Sequence, residues 1–207
     1  MVLTKKIQIG DCFCYEEEGK YVFCRLTTIE LDYDNRLYCE YFSISSKKCI
    51  CRRQSIFPLL KLDLMHPCTS ELFDRVVAIG HKLHDDITHM FYDLPDLPMP
   101  KRIKAGDCFA SKYSDGYWID EVMRRDPDCK RKVIVHLSVI SQAFDTIEYD
   151  YRWKATTPSS LREYVHVDPI LLVKYKKLIE MTALVVRGLF ERDVQLQRIA
   201  EADGLDC

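Results

Sequence analysis

The chain has 207 residues, 47% of them apolar and 30% charged, and its formal net charge is -2. This balance excludes a disordered segment, which lacks the apolar surface to offset chain entropy, and it excludes the broad positive field of a general phosphate binder. No apolar run approaches the roughly 20 residues needed to cross a bilayer, and Met1-Val2-Leu3-Thr4-Lys5-Lys6 lacks the apolar region of a secretory signal, so the expectation is a cytoplasmic protein with no membrane partner.

In chain order, Gly10-Asp11 is a turn-forming pair, and Cys12-Phe13-Cys14-Tyr15 alternates as a half-buried strand does. Glu16-Glu17-Glu18-Gly19-Lys20 supplies a polar hairpin connection with glycine available for positive φ. Tyr21 to Leu26 is rich in aromatic and β-branched residues and reads as the return strand. Asp32-Tyr33-Asp34-Asn35 marks the next turn, Leu37 to Ile44 the third strand and Cys49 to Phe57 the fourth. Short antiparallel strands at this cadence predict a small curled sheet or partly open barrel.

A helix follows, with Thr69 or Ser70 as N-cap and Glu71 in the first turn. Leu72, Phe73, Val76, Val77, Ile79, Leu83, Ile87 and Met90 recur at three- and four-residue spacing, so one apolar face is expected to lie across the sheet. Asp93-Leu94-Pro95-Asp96-Leu97-Pro98-Met99-Pro100 cannot continue that helix, because its prolines remove donors and fix φ. Further on, Asp168-Pro169 is a cap followed by proline at the first helical position. The apolar pattern then runs from Ile170 to Ile199, a rod of roughly 45–50 Å at 1.5 Å per residue with a bend expected at Gly188.

Repetition organises these elements. Lys5-Lys6-Ile7-Gln8-Ile9-Gly10-Asp11-Cys12-Phe13 returns 96 residues later as Lys101-Arg102-Ile103-Lys104-Ala105-Gly106-Asp107-Cys108-Phe109, and Tyr21 and Tyr117 share that offset. The strand from Arg36 to Ile44 matches Arg131 to Val139 at an offset of 95, as a changed hairpin loop would leave it. The predicted fold is therefore α+β, a tandem duplication of a small antiparallel sheet or partly open barrel, each copy followed by a C-terminal helix. Residues 1–92 form the first unit, 93–100 a proline-rich linker and 101–207 the second.

Ten cysteines in a long chain without an export signal read as reduced thiols packing as small hydrophobes, Cys12, Cys14, Cys24, Cys39, Cys49 and Cys51 lying in strand-like stretches. The Cys12-x-Cys14 and Cys49-x-Cys51 spacings differ from those of zinc ribbons and fingers. His81, His84 and Asp85 share a helical face and are the most metal-like group, but the solvated stripe of an amphipathic helix accounts for them. No metal or cofactor is expected. The chain lacks a nucleophile elbow, a phosphate-cradling glycine loop and a dinucleotide fingerprint, so an enzyme is not expected. A tight turn explains Gly10-Asp11 and Gly106-Asp107 without chemistry.

Two surfaces remain as candidates. Basic residues cluster at Lys47-Lys48 with Arg52-Arg53, at Arg124-Arg125 with Lys130-Arg131-Lys132, and at Lys174 with Lys176-Lys177. On a small barrel they would suit single-stranded nucleic acid, which is the alternative reading. Acidic and aromatic residues combine at Glu16, Glu17 and Glu18, at Asp32, Tyr33 and Asp34, and at Asp145, Glu148, Asp150 and Trp153. Carboxylates there would steer and pair a basic protein partner, with the rings supplying contact.

Gly10-Asp11-Cys12-Phe13, the alternating strand, the Gly19 turn and the return strand ending at Arg25-Leu26 resemble the opening of the immunity protein 26 family of bacterial polymorphic-toxin systems. The likeness covers about 20 residues of the first copy and, more loosely, the start of the second. It departs at Cys12, where the family has an aliphatic residue, at Cys24, where it has glycine, and at Asp120-Glu121, where its arginine would stand. The resemblance implies a cytoplasmic protein that binds and blocks a toxin, often a nuclease. A nuclease is commonly basic around its active site, which suits the acidic segments as the partner-binding surface.

Overall fold

A computed structural model describes residues 7–30, 36–58, 65–92, 94, 97–113, 116–141 and 146–202. The chain is α+β. Its elements are β1 (Cys12–Glu17), β2 (Lys20–Glu30), β3 (Arg36–Ile44), β4 (Lys48–Pro58), β5 (His66–Cys68), α1 (Ser70–Tyr92), β6 (Cys108–Tyr113), β7 (Gly116–Arg125), β8 (Val133–Ser141), β9 (Thr146–Thr156), α2 (Pro158–Leu161), β10 (Val165–Val167) and α3 (Pro169–Ala202). The strands run in the order β5-β1-β2-β3-β4 in the N-terminal set and β10-β6-β7-β8-β9 in the C-terminal set, with antiparallel pairing. The short strands β5 and β10 and the single turn of α2 escaped the periodicity reading, being too brief to show a period.

By compactness the chain divides into residues 1–46, 50–81 and 181–207 in one unit and 47–49 with 82–180 in the other. The division passes within α1 and α3, so each long helix supplies residues to both units, whereas the sequence places its boundary at 93–100. The linker region is held by its own carbonyls: His166 Nδ1 lies 3.0 Å from Pro98 O, and the Arg162 guanidinium donates to Pro100 O at 3.2 Å and Lys101 O at 3.1 Å.

Each Gly-Asp pair forms the same turn. Asp11 N–H donates to Gln8 O at 3.1 Å and Asp107 N–H to Lys104 O at 3.2 Å, with the glycine before each aspartate at φ 97° and 91°. That φ is what a type II turn demands at its third residue, and it favours glycine. The turn is then stitched to the far end of the return strand: Gly10 N–H to Leu26 O and Gly106 N–H to Val122 O are both 2.8 Å, and the reverse bonds to Asp11 O and Asp107 O are both 2.9 Å. One residue later each return strand has a register shift, between Leu26 and Thr28 and between Val122 and Arg124.

The third strands correct the sequence alignment. Glu40 pairs with Arg25 and His136 with Glu121, while Ile44 pairs with Tyr21 and Ile140 with Tyr117, so the offset stays at 96 throughout and the slippage to 95 does not occur. A one-residue shift would turn every core side chain of the strand to the opposite face, which is why register overrides residue likeness here.

Each strand set buries residues on two faces. In the first unit, Phe23 and Phe42 stand 6.1 Å apart against the helices, and Phe190 packs on Tyr21 at 5.4 Å and Phe23 at 6.3 Å. The opposite face holds Cys24, Leu26, Leu37, Cys39 and Met65, with Phe13, Tyr15 and Tyr41 alongside. In the second unit, Phe91 packs on Tyr117 and Tyr175, and the other face gathers Phe109, Val122, Val133, Val135 and Leu161. The fully buried Phe, Leu and Val side chains among them, such as Phe23, Phe42, Leu37 and Val135, contribute roughly 1.5–3 kcal/mol each. Thr69 caps α1 through Leu72 N–H to Oγ1 at 3.1 Å, and Asp168 caps α3 through Ile170 N–H to Oδ1 at 2.9 Å. None of the nine described cysteines forms a disulfide, and seven of them are buried. No helix among the described residues is long and apolar enough to cross a membrane.

Candidate functional site

The acidic hairpin between β1 and β2 is built by two successive residues at positive φ, Glu18 at 52° and Gly19 at 76°. This is the mirror-image turn that matches strand twist, and Glu17 pairs with Lys20 across it. Glu16 serves the turn itself, its Oε1 accepting Gly19 N–H at 2.5 Å. Glu16, Glu17 and Glu18 are all exposed, so three carboxylates stand on one hairpin tip.

The other sequence candidates fare differently. Asp32, Tyr33, Asp34 and Asp145 lie outside the described residues, as does the side chain of Asp150. Glu148, on β9, is an ion-pair partner of Lys48, Oε2 to Nζ 2.5 Å, and its side chain is only 19% exposed. Trp153, also on β9, is 55% exposed and meets the edge-on ring of His136 with centroids 3.5 Å apart. The structure thus keeps the three hairpin carboxylates together, ties Glu148 internally and leaves Trp153 with an accessible indole.

The helical histidines do not converge. His84 Nε2 lies 3.4 Å from Ser141 O and its Nδ1 3.5 Å from Thr88 Oγ1, while His89 Nδ1 lies 2.7 Å from Asp85 O. Among the described residues no group of three or more His, Cys, Asp or Glu side chains is placed to hold a metal ion.

Sequence reasoning missed two charged clusters. Arg25 on β2 is bound by Glu40, Nε to Oε2 2.7 Å, and by Asp74 of α1, a terminal nitrogen to Oδ1 2.7 Å, while its guanidinium lies 4.7 Å from the Phe73 ring centre. Burial works against its charge, yet the two carboxylates more than offset this and raise its pKa. At the equivalent register position β7 has Glu121, which receives Lys176 of α3 at 2.8 Å. The strand-to-helix ion pair is therefore present in both units with the charges reversed, which a residue-by-residue comparison reads as a mismatch.

The second cluster is Asp120, the counterpart of the buried Cys24. Asp120 is 1% exposed; Lys154 Nζ stands 2.9 Å from its Oδ2, and Oδ1 has no hydrogen-bond partner among the described residues. Burial raises its pKa, opposed by Lys154 and more weakly by Arg152. Nearby Arg152 lies 5.8 Å from the centre of the Trp118 ring, and Tyr113 packs on Trp118 at 5.4 Å. The sequence signal was an acid inside an apolar alternating strand.

In comparisons with known proteins, no family model, no curated protein and no solved structure matches the chain.

Proposed function

We propose that the chain is a tandem duplication of one small antiparallel sheet, or partly open barrel, closed by a C-terminal helix, and that it acts as a non-enzymatic, cytoplasmic immunity protein. It binds a toxin with a basic surface, a nuclease of the polymorphic-toxin kind, and blocks it by steric and electrostatic occlusion. The duplication is supported by two turns whose stitching bonds agree within 0.1 Å and by one offset through three strands.

The observation that carries the binding reading is the hairpin tip, where Glu16 spends its carboxylate on holding the turn and Glu17 and Glu18 stand in solvent. Clustered charge on a hydrogen-bonded turn steers a basic partner. Trp153 offers the exposed ring that such interfaces use as an anchor. The test pairs the chain with the toxin domain encoded beside its gene. Glu17→Lys with Glu18→Lys, leaving the turn-holding Glu16 in place, is expected to slow association at low salt and to remove protection in cells expressing the toxin. Unchanged association and protection would take the hairpin out of the interface.

A second reading rests on the Tyr113-Trp118-Arg152 row, since aromatic and basic groups on a sheet suit single-stranded nucleic acid. Salt-dependent retention of single-stranded RNA that Trp118→Ala abolishes would favour it.

A further inference from the structure

Between α1 and the sheet of the first unit lies a cavity of about 110 Å³. That volume has room for a few waters or one small ligand group. Its fixed wall is Arg25, held by Glu40 and Asp74 and resting on Phe73. A guanidinium carries five N–H donors, and the contacts to Glu40 and Asp74 leave part of that set uncommitted. Elsewhere in the lining stand Arg52 and His81, neither side chain with a hydrogen bond or ion pair among the described residues. Phe73 and Val77 supply apolar surface beside them.

His81 is anchored by its neighbour. A Cβ on Gly80 would meet Phe42 Cε2 at 2.4 Å and Cys51 Sγ at 2.6 Å, so the helix backbone sits directly on the sheet one residue before the histidine. The imidazole therefore has a firm base on the cavity wall.

Charge selects the ligand. Arg25 is balanced by its two carboxylates, which leaves Arg52 as the lining cation without a carboxylate partner among the described residues and His81 as an additional donor. Glu40 shares the lining and opposes a dianion such as phosphate. A single carboxylate needs one guanidinium fork, one further N–H and an apolar wall for its methylenes, and all three are present.

We propose that this cavity is a carboxylate-binding site in which Arg52 takes the carboxylate, His81 donates to it and Phe73 and Val77 receive the hydrocarbon stub. The carboxylate belongs either to a free short-chain acid or to a Glu or Asp side chain of a protein segment. The site shares no residue with the acidic hairpin and stands apart from the proposed toxin binding.

The experiment follows the His81 ring resonance of the isotope-labelled full chain, assigned by its loss in His81→Gln, at constant pH and ionic strength. Sodium propionate is expected to shift it saturably, whereas sodium chloride leaves it in place. Arg52→Gln should weaken propionate by about tenfold or more, and Arg52→Lys, which keeps the charge but loses the fork, should weaken it as well. Each variant is checked by its unliganded spectrum. Tighter binding of propionate than of N-acetylglutamate amide assigns the site to a free acid, and the reverse order assigns it to a protein side chain. A linear response, an Arg52→Gln chain that binds as before, or phosphate binding as tightly as propionate would overturn the proposal.

Discussion

Asp107 accepts the backbone N–H of Lys104 through Oδ2 at 2.8 Å, and it does so from a buried position, 8% exposed. Asp11 makes the matching bond to Gln8 N–H at 2.8 Å from a more exposed one. A charged acceptor that closes a turn contributes more when water cannot replace it. Asp107→Ala is expected to lower the unfolding free energy by about 2 kcal/mol and Asp11→Ala by about 1 kcal/mol. Urea titrations of the two variants measure the difference, and equal losses would remove burial as its cause.

Two helical glycines should respond in opposite directions to the same methyl group. At Gly80 it would strike the Phe42 ring and the Cys51 sulfur, so Gly80→Ala is expected to destabilise by roughly 1–3 kcal/mol. At Gly188 a Cβ meets nothing within 4 Å, and Gly188→Ala should stabilise α3 by about 1 kcal/mol through helix propensity alone. Thermal melts of both variants give the signs, and a loss of stability at Gly188 would show that the exposed helix face is needed open.

Asp120 should give stability a pH slope. Its folded pKa is raised by burial, so the folded chain holds that proton more tightly than the unfolded one. The stabilisation is complete below the ordinary aspartate pKa of about 3.9 and is lost as pH rises through the folded value. Asp120→Asn is expected to abolish this part of the slope, and Lys154→Met to extend it to higher pH by removing the ammonium that favours the carboxylate. Urea midpoints across the acidic range measure it; a profile unchanged in Asp120→Asn would refute the assignment.

Thiol labelling should separate the cysteines. Cys129 and Cys68 are partly accessible, but the Cys68 thiol is pushed up by its hydrogen bond with Cys14 and by burial. Maleimide reacts with thiolate, so Cys129 is expected to label well before Cys68 in the native chain, and the seven buried cysteines only on unfolding. Peptide mapping over time reads the order, and early labelling of Cys24 or Cys39 would contradict the packing of that face.

Much of this architecture is legible in the residues because its signals are local. Gly10-Asp11, the Thr69 and Asp168 caps and the Glu18-Gly19 turn each close within three residues, so spacing alone announces them. The first four strands likewise follow from alternation. The candidate site was legible only in part: the exposed Glu16 to Glu18 tip is a local hairpin, whereas Glu148 looks equally available in the sequence and is bound by Lys48, 100 residues away.

By itself the amino-acid order determined the turns, the caps, the strand cadence and the recurrence of one phrase, since each depends on bonds between near neighbours. The tertiary structure alone decided the common offset of the third strands, the partners of Arg25 and Glu121 with their charges exchanged, and the burial of Asp120. Those outcomes depend on which strand or helix arrives opposite a residue dozens of positions distant. Pairing register and packing set that meeting, and no short-range pattern encodes it.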